Sequence, residues 1–298
     1  MSAPTVAVLR SEDRSAPLAS ALAAAGAVPV LCPLIANQLP EEPAQRAAVR
    51  DELERLSEGT YAWVAFTSVS TVRALLALVP GEDESGVRPP PAIQLDVAAV
   101  TKVAAVGQAT ALALEACGVR VDLVPESEHS ARGLLAEWPL LEDTGAAQVL
   151  LPAADLASPL LRDGLLERGW RPSDVLAYRT VDAPGDPALL LSGPVPGHDE
   201  VSAPATARHL EPGELAEALV AGTLDAAVLT SPSTARRVVH LLAGRPSATG
   251  FIAIGARTAR EARAHGLRVD AVAASTDPAG LVGALAARDG AAPERKQS

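Results

Sequence analysis

Two short turns carry residue types suited to holding an anion: Gly107-Gln-Ala-Thr110-Ala and Gly255-Ala-Arg-Thr258-Ala. Each lies between a short apolar run and a stretch of helix-forming residues. There the unbonded N–H groups of a helix's first turn and the positive end of its dipole attract a carboxylate or phosphate. The other reading of Thr110 and Thr258 is that each satisfies the end of its own helix. Thr67-Ser68 and Thr230-Ser231 also end apolar runs just before a helix, so Ser68 and Ser231 either cap those helices or face a ligand. Ligands of open parallel sheets bind beyond the C-terminal ends of the strands. These hydroxyl-bearing and glycine helix starts are therefore expected to face one cleft between two domains. The turns lack the further glycines of G-x-G-x-x-G and no Walker lysine follows, which argues against a nucleotide.

Tyr178 closes the apolar stretch Val175-Leu-Ala-Tyr178-Arg-Thr180, and is either a packed phenol or a group that takes part in chemistry. His129, His198, His209, His240 and His265 share no ligand spacing, no G-x-S-x-G elbow or Ser/His/Asp set is present, and no metal site is expected. Most of the histidines should lie on the surface. Cys32 and Cys117 sit in apolar surroundings and read as small buried thiols, which suits a reducing, cytoplasmic compartment.

Composition narrows the function classes. With 25 Lys+Arg against 36 Asp+Glu the formal charge is -11, which argues against neutralising nucleic-acid phosphates or an anionic membrane. Aromatic residues at 2% are too few for base-stacking platforms. The N-terminus has no signal-peptide pattern and no charge-free apolar run is long enough to span a bilayer, so a protein neither exported nor membrane-spanning is expected.

The elements that must position these residues appear twice. Val103 to Ala131 superposes on Phe251 to Ala279, with Gly107/Gly255, Thr110/Thr258, Gly118/Gly266, Arg120/Arg268, Val121/Val269, Asp122/Asp270 and Ser127/Ser275 coinciding. Thr67 to Arg73 superposes on Thr230 to Arg236 through T-S-x-S-T-x-R, and Val6 to Gly26 more weakly resembles Val149 to Gly169. Val103 to Val106, a helix over Ala109 to Ala116, Gly118 as its cap and a strand over Val119 to Val124 form a β-α-β unit, repeated at Phe251 to Val272. Val6 to Leu9, a helix over Ala16 to Ala25 and Val28 to Leu31 form another. The fold class is α/β: two doubly wound parallel-sheet domains of similar topology, an internal duplication. Pro33 to Pro43, Gly81 to Pro91 and Asp182 to Pro212 read as loops or linkers, the last of them largely mobile, and the tail after Arg288 as disordered.

In order and spacing these motifs resemble the uroporphyrinogen-III synthase family. The resemblance runs from Val6-Ala-Val-Leu-Arg10 to Ala274-Ser-Thr-Asp-Pro-Ala-Gly-Leu-Val282, through both glycine turns, Val124-Pro-Glu-Ser127, Ala177-Tyr178-Arg-Thr180 and Leu229-Thr-Ser231-Pro-Ser233. It implies a cytoplasmic lyase that dehydrates and cyclises hydroxymethylbilane, inverting the last pyrrole ring through a spiro intermediate, without cofactor or metal. It implies residues 1–36 plus 181–288 as one discontinuous domain, with a mobile Pro-rich insertion at 182–212, residues 40–177 as the other, a two-segment hinge, and a disordered tail at 289–298. Tyr178 aligns with the tyrosine proposed to assist loss of the hydroxyl; Ser68, Thr110, Ser231 and Thr258 align with cleft-facing residues, and Arg10, Gly107 and Gly255 complete the implied substrate-binding set. The implied partners are the substrate and, transiently, the preceding deaminase, with no nucleic acid or membrane, and the chain acting as a monomer. The chain departs from the family at Pro152-Ala-Ala-Asp155, where an Arg-Gly pair is common, and at Val69-Ser70, where proline and a basic residue are common. A non-catalytic module that senses a tetrapyrrole or another polycarboxylate is the alternative; the lack of a helix-turn-helix segment after the last repeat favours the enzyme.

Overall fold

A computed structural model describes residues 3–10, 12–79, 94–141, 147–191, 195 and 203–291. Among these the chain forms β1 (Thr5–Val8), α1 (Glu12–Ala24), β2 (Val28–Leu31), β3 (Ile35–Gln38), α2 (Pro43–Ser57), β4 (Trp63–Phe66), α3 (Val69–Leu78) and β5 (Lys102–Ala105). It continues with α4 (Gln108–Ala116), α5 (Ala131–Glu137), β6 (Gln148–Ala154), α6 (Leu160–Glu167), β7 (Arg171–Asp182), β8 (Arg208–His209) and α7 (Pro212–Ala221). The last elements are β9 (Ala226–Leu229), α8 (Pro232–Leu242), β10 (Gly250–Ala253), α9 (Ala256–Ala264), β11 (Val269–Val272) and α10 (Pro278–Ala291). The described residues fall into two compact units, one drawn from 1–36, 182–184 and 200–298 and the other from 37–181 and 185–199.

The first unit holds a six-stranded sheet in the order β11-β10-β9-β1-β2-β8, with every neighbouring pair parallel. Strands of a parallel sheet are covered on both faces and so read as unbroken apolar runs, as Ala226–Leu229 does. Alternate side chains serve opposite layers. Val6 and Val8 pack with Leu18, Leu22, Leu281 and Leu285 of α1 and α10, whereas Ala7 and Leu9 pack with Leu215, Leu219, Val238 and Leu242 of α7 and α8. Phe251 is fully buried in the second layer; a side chain of that kind contributes about 1.5–3 kcal/mol by leaving water.

The second unit holds a five-stranded sheet in the order β3-β7-β6-β4-β5, in which β7, β6, β4 and β5 are parallel. One face packs Val64, Phe66, Val103 and Ala177 against Val49, Leu53 and Leu56 of α2, Val72 and Leu75 of α3 and Leu114 of α4. The other packs Ala65, Val149 and Leu151 against Leu134 of α5 and Leu161 and Leu165 of α6, with Trp63, Trp138 and Trp170 in the same layer.

The matched β-α punctuation is as expected: Gly118 and Gly266 follow α4 and α9 at φ +79° and +80°, a left-handed position that favours glycine. Several local expectations are corrected. α1 begins at Glu12 rather than Ala16 and takes Pro17 inside it, the Ser15 hydroxyl donating to the Arg10 carbonyl at 3.1 Å. Pro33 to Pro43 contains β3, because backbone pairing with a distant segment imposes extension that the local sequence does not encode. Val119 to Val124 is reduced to one bridge, Ala104↔Leu123. The Asp122 carboxylate takes the Val103 N–H at 2.9 Å, so a side chain stands where a ladder carbonyl would. Within Asp182 to Pro212, β7 runs on to Asp182, Leu190 bridges Gln38, and β8 joins the first sheet. Of that stretch, expected to be largely mobile, residues 192–194 and 196–202 lie outside the described residues, as do all of Gly81 to Pro91 and residues 292–298. Helix α10 continues past Arg288 to Ala291.

Candidate functional site

Because the strands of each sheet run parallel, the residues that follow them collect at one edge. In the first unit Arg10 follows β1, Ser231 follows β9 and Gly255 follows β10, three neighbours in the sheet. In the second unit Ser68 follows β4, Gly107 follows β5 and Asp155 follows β6, with Tyr178 near the end of β7. Every predicted site residue is therefore at, or within one helical turn of, the C-terminal edge of its own sheet.

The paired serines cap their helices. The Ser68 Oγ accepts from the Thr71 N–H at 3.1 Å and lies 3.0 Å from the Thr71 hydroxyl. The Ser231 Oγ accepts from the Thr234 N–H at 3.1 Å and lies 2.8 Å from the Thr234 and Ser233 hydroxyls. Thr71 and Thr234 are buried; they stand in the repeated T-S-x-S-T-x-R pattern, which is the signal that could have marked them. Arg10 is half-buried, with its carbonyl held by Ser15.

The glycine turns behave differently. Gly107 and Gly255 are themselves the N-caps of α4 and α9, in extended backbone at φ -171° and -177°, and no side chain caps either helix. Thr110 and Thr258 sit three residues further on and are buried. The reading in which these threonines satisfy their own helix ends is thus corrected: a hydroxyl at the third helical position is too far along to cap, the Thr110 N–H is held by the Gly107 carbonyl at 3.1 Å, and no side chain takes the N–H groups ahead of it. The electrostatics suit that role. The first turns of α3, α4, α8 and α9 contain no Asp or Glu, although the chain is acidic. Helices α2, α5 and α10 share this feature, whereas α6 and α7 carry Asp163 and Glu214 there. An acidic side chain in a first turn would compete with an incoming carboxylate for the same dipole.

Tyr178 is 9% exposed and its phenol oxygen lies 3.3 Å from the Ser68 Oγ. Around it runs a polar chain that the sequence did not mark. The Thr180 N–H donates to the Asp155 Oδ1 at 3.0 Å, the Thr180 hydroxyl donates to the Asn37 Oδ1 at 3.2 Å, and the Asn37 Nδ2 donates to the Ser70 Oγ at 3.2 Å. Asn37 lies in the segment expected to be a loop, and only the three-dimensional pairing brings it beside Thr180.

The remaining candidates are quiet. Both cysteines are free and buried. Burial, reinforced by Glu211 and Glu214, pushes the Cys32 thiol up to about 12, and burial raises Cys117 as well, so neither is a ready thiolate nucleophile. His129, His209, His240 and His265 are exposed as expected, and His198 is outside the described residues. Among the described residues no cluster of His, Cys, Asp or Glu could hold a metal ion. No described helix is long and apolar enough to cross a membrane. A shallow cavity of about 350 Å³ lined by Thr5, Arg208, Glu214, Glu217 and Thr223 contains none of the predicted residues.

Comparison with known proteins agrees with this arrangement. The chain is similar to a crystal structure of a mutant uroporphyrinogen III synthase from the extremely thermophilic bacterium Thermus thermophilus, at TM-score 0.54 and 20% identity over 97% of this chain and 99% of that one. It is similar to uroporphyrinogen-III synthetase from Helicobacter pylori at TM-score 0.53 and 14% identity, over 95% and 99%. At such identities these likenesses establish the shared fold. No curated protein sequence matches the chain significantly. The family model described as uroporphyrinogen-III synthase HemD matches residues 16–283. That match spans most of the chain, and the chain therefore belongs to the uroporphyrinogen-III synthase family.

Proposed function

We propose that the protein is a uroporphyrinogen-III synthase, a lyase that dehydrates and cyclises hydroxymethylbilane with inversion of the last pyrrole ring. Membership of the family supports the reading, and the single structural observation that carries it is the Tyr178 phenol, 3.3 Å from the hydroxyl that caps α3 at the C-terminal edge of its sheet. The substrate bears an acetate and a propionate on every pyrrole. The acid-free starts of α3, α4, α8 and α9, with Ser68, Gly107, Thr110, Ser231, Gly255 and Thr258, bind those carboxylates through backbone N–H groups and hydroxyls, so an acidic protein needs no cationic surface to hold a polyanion. Arg10, beyond β1, adds a guanidinium at the same edge of its sheet.

Tyr178 donates its proton to the terminal hydroxymethyl oxygen as the C–O bond breaks and water departs. The cationic methylene left behind is attacked by the substituted α-carbon of the last ring, which forms the spiro intermediate. The bond from that carbon to its original bridging methylene then breaks, and the methylene cation so freed is attacked by the ring's unsubstituted α-carbon. That carbon's proton is lost as the macrocycle closes with the ring inverted, the tyrosinate recovering a proton. The protein's larger contribution is to hold the bilane so that its two ends meet. We further propose that the two units are copies of one ancestral β-α domain, that the crossings of the chain near residues 36–37 and 181–185 serve as the hinge, and that the enzyme works as a cytoplasmic monomer with transient access to the deaminase that supplies its substrate.

A coupled assay tests the reading. The deaminase generates hydroxymethylbilane, the protein is added, and the oxidised products are separated into type I and type III uroporphyrins. Predominant type III is expected; type I alone, as forms without enzyme, from folded protein would overturn it.

A further inference from the structure

The β6–β7 ladder contains an irregularity that determines where Tyr178 points. From Gln148↔Arg171 to Ala153↔Leu176 the two strands pair residue for residue, but the next pair is Ala154↔Tyr178. Ala177 is an extra residue on β7, a bulge, which is rare between parallel strands and reverses the in-out alternation beyond it. Val175 and Ala177 face the core formed with α2, α3 and α4. An unbulged strand would send residue 178 to the opposite layer, under α5 and α6. With the bulge, Tyr178 joins the same core as Ala177 and its phenol meets Ser68.

Both sides of the tyrosine are held by one residue. The Asp155 N–H donates to the Tyr178 carbonyl at 3.2 Å, and the Asp155 carboxylate accepts the Thr180 N–H at 3.0 Å. Thr180 is tied in turn through Asn37 to Ser70, on the helix that Ser68 caps. Asp155 is exposed and makes no ion pair among the described residues, so its carboxylate is committed to the β7 backbone. We infer that Asp155 is a positioning residue, which clamps the β7 bulge and so aims the Tyr178 phenol at Ser68 and the reacting hydroxymethyl group. The second half of this statement rests on the function proposed above; the clamp itself does not.

The chain has two tyrosines, Tyr61 and Tyr178, so 3-fluorotyrosine labelling of the full chain gives two ¹⁹F resonances, assigned with Tyr178→Phe. Asp155→Ala is expected to move the Tyr178 resonance and leave that of Tyr61, while Asp155→Asn, which keeps the acceptor oxygen, holds both in place. In the coupled assay Asp155→Ala is expected to lower kcat for type III product roughly 10-fold with KM held. Asp155→Asn should stay within about 2-fold, and adding Asp155→Ala to Tyr178→Phe should lower the rate no further. An unmoved Tyr178 resonance in Asp155→Ala, or an equal loss of rate in the Tyr178→Phe background, would overturn the assignment. If the resonance moves but Tyr178→Phe keeps full activity, the clamp stands and the acid role of Tyr178 falls.

Discussion

Substitution of Ser68 separates the structural and chemical uses of one hydroxyl. Its Oγ accepts the Thr71 N–H at 3.1 Å and lies 3.3 Å from the Tyr178 phenol. Ser68→Ala removes the cap, which costs about 1 kcal/mol in most helices, and takes a partner from the fully buried Thr71 hydroxyl; together about 1–2 kcal/mol is expected. Ser68→Gly removes the same side chain, yet glycine is tolerated at an N-cap and forfeits only a few tenths of a kcal/mol there. Both variants lose the contact with Tyr178, worth about 1 kcal/mol, so both should lower kcat roughly 5-fold. All three tryptophans lie in the second unit, so a urea titration followed by tryptophan fluorescence reads the stability of the unit that contains Ser68. The alanine variant should unfold at clearly lower urea than the glycine variant while the two share one kcat. Equal midpoints would refute the capping role. A glycine variant with full kcat would refute any use of the Ser68 to Tyr178 contact in the reaction.

Three further outcomes follow from the same geometry. Tyr178→Phe should lower the rate of type III formation by about 10-fold or more while costing no more than about 1 kcal/mol of stability in the urea titration, the worth of the lost contact with Ser68, since the variant keeps the buried ring. Gln108→Glu and Arg257→Glu, in the first turns of α4 and α9, should stabilise the protein by about 0.3–1 kcal/mol through the helix dipole yet raise KM. Steady-state kinetics would contradict the carboxylate-binding role if KM fell or stayed the same. Cys32, pushed up to about 12 by burial, should resist iodoacetamide at pH 8 until the chain unfolds. The sign of its pH effect follows from proton counting: below pH 9 the thiol is protonated folded and unfolded, whereas between about 9 and 12 only the unfolded chain releases the proton, so stability declines across that window. Urea midpoints of Cys32→Ala should decline less steeply there; Tyr61, raised to about 12 by burial and its bond to Glu52, sustains the remaining slope above pH 10.

Much of the site was legible because its signals are local. An apolar run followed by serine or glycine and then helix formers marks a strand, a turn and a helix start without knowledge of the neighbours, so β4, β9 and their capping serines lie where the residues place them. The repeat told which turns to compare, and Gly118 and Gly266 close equivalent helices because both require the same left-handed backbone. The role of Thr110 and Thr258 was not legible: whether a hydroxyl caps depends on a shift of two or three residues in where the helix begins, and Gly107 and Gly255 take that position.

Long-range pairing was beyond the sequence. Nothing in Ile35-Ala-Asn-Gln38 marks a strand; it is extended because β7 is there to pair with it. The bulge at Ala177 is set by the register of two strands whose sequences are silent about it, and that bulge decides which face Tyr178 occupies. The amino-acid sequence determined which side chains are available and at which helix starts they stand, since those depend on neighbours along the chain. Which of them touch was decided by tertiary structure, since hydrogen bonds such as those linking Asp155, Thr180, Asn37 and Ser70 join residues far apart along the chain, and only the packed sheet brings them within reach.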